Sequence, residues 1–250
     1  MKKFPLMFFA VVLLAACESG KSGEGDQAET EASSKPTGPN QLSEKEKEDG
    51  WKLLFDGTSM AGWKTYQNKE NDSWEVVDGT LHCRPDSVAK KRADILTVDQ
   101  YDNFDLVFEF KIAPRDNSGV IYRATEEFGR PYHSGPEYQV IDDKNYPGEL
   151  TSTQLTGSNY DMHAAPEDKR INPPGEWNTG RIVANGNHIE HWLNGQKVAE
   201  YEINSEDWKK RKEASKWKDV SGYGMATKGH IDLQDHGGEA WYRNIKIRTL

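Results

Sequence analysis

The sequence predicts an antiparallel β-sandwich or barrel with one short helix, and three observations carry that expectation. Turn dipeptides recur at short intervals between β-branched and aromatic stretches, Asn-Gly pairs divide one region into a meander, and helical periodicity is scarce. Near the start of this pattern, Trp51, Leu53, Leu54 and Phe55 lead into Asp56-Gly57. A hairpin follows from residues 74–77 and 80–83, joined by Asp78-Gly79, because a two-residue turn there needs positive φ and Asp-Gly supplies it. Strands are expected over 104–112, where Phe104, Leu106, Phe108 and Phe110 share one face, and over 119–123 and 137–142. Residues 177–184, 188–193 and 197–203 read as a three-stranded meander turning at Asn185-Gly186 and Asn194-Gly195. Within it Trp192 is assigned to the core and His191 to the opposite, groove-facing side. Residues 206 to about 216 form the expected helix: Ser205 is the N-cap, Glu206 and Asp207 suit its positive end and the later lysines its negative end. Trp208 and Trp217 would pin it to the sandwich. Residues 230–236 and 240–248, broken at Gly237-Gly238, read as a closing hairpin.

Composition narrows the function. The 250 residues carry 41 acidic and 32 basic side chains, a formal net charge of -9, and no Lys/Arg-rich face is evident, which argues against a nucleic-acid partner. Mean hydropathy is -0.88, yet eight Trp, ten Tyr and eight Phe supply bulk for one core. Cys17 and Cys83 are the only cysteines, so there is no disulfide framework.

The first segment reads as an address. Met1-Lys2-Lys3 precedes an apolar run too short to span a bilayer as a helix, which marks a signal peptide over 1–16. Its end, Leu14-Ala15-Ala16-Cys17, resembles the lipobox of bacterial lipoproteins, which implies cleavage before Cys17 and lipidation of that residue. Residues 17–49 are then a lipidated cysteine and a flexible acidic tether, poor in large apolar side chains. Residues 50–250 are the folded domain. The expected location is the cell envelope, on the outer membrane, with membrane contact through the N-terminal lipid alone.

Three strand-like segments carry unusual polar content: 117–123, 135–142 and 231–237. Strand alternation puts Glu137 and Gln139 on one face, Ile231 and Leu233 in the core, and Gln234 with His236 opposite them. Arg123 shares a face with Asn117 by the same rule. If these strands are neighbours, Asn117, Arg123, Glu137, Gln139, Gln234 and His236 line one polar sheet surface suited to a sugar.

The segments carrying these residues bear a family resemblance. Leu53-Leu54-Phe55-Asp56-Gly57 with Gly62-Trp63, Asn117 to Arg123, Gly135 to Asp142, Gly175-Glu176-Trp177-Asn178, His191 to Gly195, Leu233-Gln234-Asp235-His236-Gly237 and Arg243 to Ile247 occur in order. In this the body resembles the 3-keto-disaccharide hydrolase domain family, formerly a domain of unknown function, with a concanavalin A-like jelly roll. The resemblance implies cleavage of 3-keto-glycosides: a 3-ketone acidifies the hydrogen on C2, a base removes it, the C1 leaving group is eliminated, and water adds back. It also implies a separate sugar 3-dehydrogenase upstream. Jelly-roll glucanases instead use two carboxyl groups, about 5 to 5.5 Å apart for retention or about 6.5 to 9.5 Å for inversion. Many carry these as Glu-x-Asp-x-x-Glu, but here the strand reads Glu137-x-Gln139-x-x-Asp142.

On that chemistry Glu137 is the candidate general base, since burial among apolar residues raises a carboxyl pKa. His236 is the candidate acid for the leaving group or a metal ligand, and Arg123 the candidate stabiliser of enediolate charge. Asn117, Gln139 and Gln234 would orient hydroxyls. His133 with Glu137 could hold a divalent metal ion that polarises the ketone, although no zinc-type spacing is present. Where relatives place a histidine after the strand, this chain has Asp142-Asp143-Lys144-Asn145. The alternative function is a non-catalytic, lectin-like carbohydrate-binding module on the same fold; no obvious exposed aromatic row supports it. No nucleotide cradle or nucleophile elbow occurs.

Overall fold

A computed structural model describes residues 38–250. The segment expected to be a signal peptide (1–16), the expected lipidation site Cys17 and most of the expected tether lie outside the described residues. In chain order the strands are β1 (Lys52–Leu53), β2 (Trp63–Thr65), β3 (Trp74–Val77), β4 (Thr80–Cys83), β5 (Ile95–Thr97), β6 (Phe104–Ile112), β7 (Asn117–Ala124), β8 (Glu137–Ile141), β9 (Asn178–Asn185), β10 (His188–Leu193), β11 (Gln196–Glu202), β12 (His230–Leu233) and β13 (Ala240–Thr249). All pair antiparallel, as the jelly-roll sandwich requires. One sheet runs β11-β10-β9-β6-β13-β4-β3, with β1 also on β13; the other runs β2-β5-β12-β7-β8.

Apolar alternation holds the two layers together. Phe104, Leu106, Phe108 and Phe110 of β6 are all buried, and the first and third meet the facing sheet edge-on: Phe104 against Tyr122 of β7 and Phe108 against Tyr138 of β8, with ring centroids 6.3 and 5.3 Å apart. Opposite Phe108 only a glycine fits, because a Cβ on Gly180 would lie 2.3 Å from the ring. The β3–β4 hairpin turns at Asp78 and Gly79 with φ of 48° and 72°, the conformation its sequence asks for. β9 runs one residue further than expected, through Asn185, so that turn sits at Gly186-Asn187.

Four expectations need correction. His191 and Trp192 exchange faces: Ile189, His191 and Leu193 point into the core, while Trp192 lies outside between Arg181 and Lys197. The core accepts His191 because its Nε2 meets the Tyr122 hydroxyl at 2.9 Å and its Nδ1 the Gly157 carbonyl at 3.0 Å. Burial pushes its pKa down to about 3, so it stays neutral. β12 and β13 do not form a hairpin. β12 pairs with β5 and β7 in one sheet and β13 with β4 and β6 in the other, so residues 234–239 cross between layers.

The remaining two corrections concern helices and the tether boundary. α2 (Glu206–Ala214) is as expected, with the Ser205 hydroxyl accepting from Trp208 N at 3.1 Å. Trp208 and Trp217 both stack on Tyr223 beneath it. A second helix, α1 (Glu44–Glu48), falls in the stretch assigned to the tether, closed by a capping box between Ser43 and Glu46. The folded domain therefore begins before residue 50. Asn40 donates to the Gly79 carbonyl and accepts from Asn244 N, both at 2.8 Å, and Glu46 pairs with Lys246. No helix among the described residues is long and apolar enough to cross a membrane.

Starting the chain at Gly50 instead of Gly38 removes those hydrogen bonds and that ion pair. Thermal unfolding of the two versions is expected to differ by roughly 5–10 °C in favour of the longer one, from about 1 kcal/mol per hydrogen bond. Equal midpoints would show that residues 38–49 contribute nothing.

Candidate functional site

A cleft of about 400 Å³ opens on the outer face of the five-stranded sheet. Its floor follows from strand alternation. With Tyr138 and Val140 of β8 in the core, Glu137 and Gln139 face outward; with Val120 and Tyr122 of β7 in the core, so do Asn117 and Gly119. Ile231 and Leu233 are core residues, and Gln234 and His236 line the cleft. Five of the six residues expected on one polar surface are therefore together.

The sheet edge that β8 would expose is covered by the loop that follows it. Gln139 N donates to the Ser158 carbonyl at 3.1 Å and Tyr160 N to the Glu137 carbonyl at 3.0 Å, which closes the edge and sets Tyr160 at the cleft wall. Glu137 is 4% exposed. Room for its carboxyl comes from Gly119, whose missing Cβ would stand 2.5 Å from Glu137 Oε1. Burial pushes the Glu137 pKa up to about 8; the Asp94 carboxyl adds to the rise, while the Lys216 ammonium and an amide contact from Gln234 oppose it. Asp94 itself is raised to about 7, mainly by burial, and accepts from Asp235 N at 2.8 Å.

Three amides line the cleft with Glu137, each with a buried polar atom that has no partner among the described residues: Asn117 Oδ1, Gln139 Nε2 and Gln234 Oε1. Unpaired polar atoms of this kind cost about 1–3 kcal/mol apiece and are met by a ligand's hydroxyls or by water. Gln234 is fixed by its own backbone, donating to the Gly119 carbonyl at 3.0 Å while its carbonyl accepts from Ser118 at 2.7 Å. His236 stands at the exposed rim, and desolvation of its ring, with the Lys216 charge nearby, lowers its pKa, which favours neutral imidazole.

Arg123 is not in the cleft. β7 carries an extra residue there, since Ile231 pairs with Tyr122 and His230 with Ala124, and Arg123 sits at φ 55°. The bulge reverses its face. Its guanidinium donates to the Asp102 carbonyl at 3.0 and 2.7 Å and to the Gly186 carbonyl at 2.8 Å, tying loops at the end of the sandwich. Asp142, the last acid of the glucanase-like pattern, is also occupied elsewhere: it accepts from Arg115 N at 2.8 Å and from the backbone of Lys144 and Asn145 at 3.1 Å. The cleft therefore lacks that pattern's third position.

His133 lies in a short 3-10 turn, Pro131–His133, packed edge-on against Tyr132, and does not line the cleft. Among the described residues the one trio of imidazole or carboxylate donors within 4.8 Å of each other is His188, Glu190 and Glu200, on β10 and β11 of the other sheet. Of the His133–Glu137 pair, the cleft lining includes Glu137 alone.

Two groups escaped the sequence reading. Lys216 follows α2 and places its ammonium 4.0 Å from the Tyr160 ring centroid and 4.3 Å from that of Trp217, at the cleft wall. Desolvation lowers its pKa. No local pattern marks it, because the lysines around it read as helix-end charges. Asp232 is fully buried with both carboxyl oxygens unpartnered, its pKa held well above the carboxylate range by burial and by Asp94 and Glu137. Alternation with Gln234 could have revealed it.

The raised Glu137 pKa has a consequence for stability. Below its ordinary value of 4.5 folded and unfolded chains both hold the proton and the contribution is complete; it is lost as pH rises to about 8, where the unfolded chain ionises freely and the buried carboxyl does not. Glu137→Gln keeps a neutral group throughout. Denaturant unfolding at pH 5 and pH 9 is expected to show the variant gaining at least about 2 kcal/mol on the native chain between the two. A constant difference would mean an ordinary Glu137.

Residues 50–248 match the 3-keto-alpha-glucoside-1,2-lyase-like domain. A 3-keto-disaccharide hydrolase of Bacteroides thetaiotaomicron is 29% identical over 231 residues, covering 81% of this chain and 79% of that one. Among solved structures, a candidate glycosyl hydrolase from Parabacteroides distasonis ATCC 8503 superposes with a TM-score of 0.79 at 39% identity, over 85% of this chain and all 100% of that one. A second from the same organism gives 0.63 at 31% identity, over 80% and 99%. The matched span covers both sheets and every residue lining the cleft, and on it the chain belongs to the 3-keto-alpha-glucoside-1,2-lyase-like domain family.

Proposed function

We propose that the chain cleaves 3-keto-glycosides, 3-keto-disaccharides among them, by removing the C2 proton and eliminating the C1 substituent. The observation that carries this reading is Glu137: a buried carboxyl, pKa about 8, in a cleft it shares with Asn117, Gln139 and Gln234. Such a group is a stronger base than an exposed carboxylate, and once protonated it is still a competent acid near neutral pH.

The chemistry follows from that placement. Ionised Glu137 takes the proton from C2, and the C2–H electrons form a C2=C3 enediolate with its charge on the former ketone oxygen. The Lys216 ammonium at the cleft wall, rather than Arg123, supplies the positive charge that stabilises it. As the C3 carbonyl re-forms, electrons move to C1=C2 and the C1–O bond breaks. The leaving oxygen takes the proton that Glu137 gained, with neutral His236 hydrogen-bonded at the rim. Water adding to C1, with a proton to C2, completes net hydrolysis. Asn117, Gln139 and Gln234 hold the ring hydroxyls through their unpartnered atoms.

The deciding assay incubates the chain from Gly38 with a 3-keto-glucoside and its unoxidised counterpart, with and without chelator, and follows released sugar. Cleavage of the keto substrate alone is expected, with kcat/KM rising as pH rises through about 8 because the ionised carboxyl is the active form. Glu137→Gln is expected to lose activity about a thousandfold and Lys216→Met about a hundredfold. Full activity in Glu137→Gln sinks the mechanism, and binding of the keto sugar without cleavage replaces the enzyme with the lectin-like module. Loss of activity with chelator assigns a part to a divalent cation.

The proposed site of action is the cell envelope, with Cys17 as the anchor. Expressed from residue 1 in a bacterium, the chain is expected to incorporate labelled fatty acid and partition with membranes, and Cys17→Ser to abolish both. Unlabelled, soluble native chain would refute the anchor.

A further inference from the structure

Beside the cleft, and sharing its Arg92, Asp94, Arg130 and Asp235, lies a smaller pocket of about 70 Å³ closed by Tyr66 and Lys69. Its charges are unusual for a protein of net charge -9. Asp235 is saturated: its Oδ1 accepts from Arg92 Nε at 2.9 Å and from Gly237 N at 3.1 Å, and its Oδ2 from the Ser73 hydroxyl at 2.6 Å. Arg92 also reaches Asp86 at 3.1 Å, while its Nη1 is buried without a hydrogen-bond partner. Arg130 and Lys69 form no ion pair within 4.0 Å among the described residues; both lie close enough to Asp94 to oppose its raised pKa, and Lys69 sits 5.3 Å from the Tyr66 ring centroid. Two cations thus stand at one end of a sugar-sized cleft with no carboxylate bound to either.

We propose that this pocket is an anion subsite and that the preferred 3-keto-glycoside carries a carboxylate, seated between Arg130, Lys69 and Arg92. The proposal rests on the function argued above and narrows its substrate class. A neutral glycoside needs hydroxyl partners, which the three amides supply; an exposed cation pair adds little for it. A carboxylate gains charge-assisted hydrogen bonds, and a guanidinium offers the planar fork that matches it. The pocket is too small for a second sugar ring, so the anion is a substituent on the oxidised ring or on the leaving group.

Two matched pairs distinguish these positions. Methyl 3-keto-glucuronide against methyl 3-keto-glucoside tests the ring, and 4-carboxyphenyl against phenyl 3-keto-glucoside tests the leaving group. For one pair kcat/KM is expected to favour the charged member by about tenfold. That ratio should fall toward one in Arg130→Gln and in Lys69→Gln and shrink as salt rises, since both side chains are exposed. Equal kcat/KM within both pairs, or a preference untouched by both substitutions, overturns the subsite while the cleavage reading stands. If no keto-glycoside is cleaved, that reading has failed on its own. The subsite is then decided by calorimetry with glucuronate and glucose: binding of glucuronate about tenfold tighter, lost in Arg130→Gln, supports it. Equal affinity overturns it.

Discussion

The outer face of the smaller sheet holds a carboxyl that water would normally claim. Glu137 keeps its place there because Gly119 leaves space one strand away and because the chain returns over residues 155–163 to close the edge of β8. Remove either and the carboxyl becomes solvated or is pushed aside, and a solvated glutamate is an ordinary weak base. The other features of the cleft are arranged around that constraint. Three amides share the cleft with the carboxyl, and the Lys216 ammonium lies over the Tyr160 and Trp217 rings and forms no ion pair with it among the described residues.

The crossing from β12 to β13 does the second half of the work. By passing between sheets, residues 234–239 bring Gln234, Asp235 and His236 to the same cleft, where a hairpin would have left them at a sheet end. Asp235 then binds Arg92, a residue distant in sequence, and the pair forms the wall between the cleft and its small annex. The arrangement differs from that of two opposed carboxylates: of the glucanase-like triplet on β8, one position is an amide and another, Asp142, is consumed in a turn.

Much of this was legible because strands have a period of two. The inward aromatics of β6, the outward Glu137 and Gln139, and the Asp-Gly hairpin all follow from alternation and turn chemistry, and the structure agrees with them. Two of the misreadings share one cause, which is that alternation holds only while register is unbroken and the core's polar needs are known. A single bulge residue sends Arg123 to the end of the sandwich. His191 was given the outer face as a polar residue, yet Ile189 and Leu193 flank it in phase and Tyr122 waits to bond it. The tether boundary was placed by composition, which is blind to Asn40 reaching Asn244 across 204 residues of chain.

The amino-acid sequence by itself determined the fold class, the family, and five of the residues on the cleft floor and rim, because each rests on local periodicity or on motif order. Tertiary structure alone decided what charges that floor experiences. Lys216, Asp94 and Arg92 come from segments with no common local pattern, and Asp232 acquires its raised pKa only by burial beside acids brought from other strands. Electrostatic energy depends on distance in space and on the loss of water, neither of which is a property of neighbouring positions in a chain.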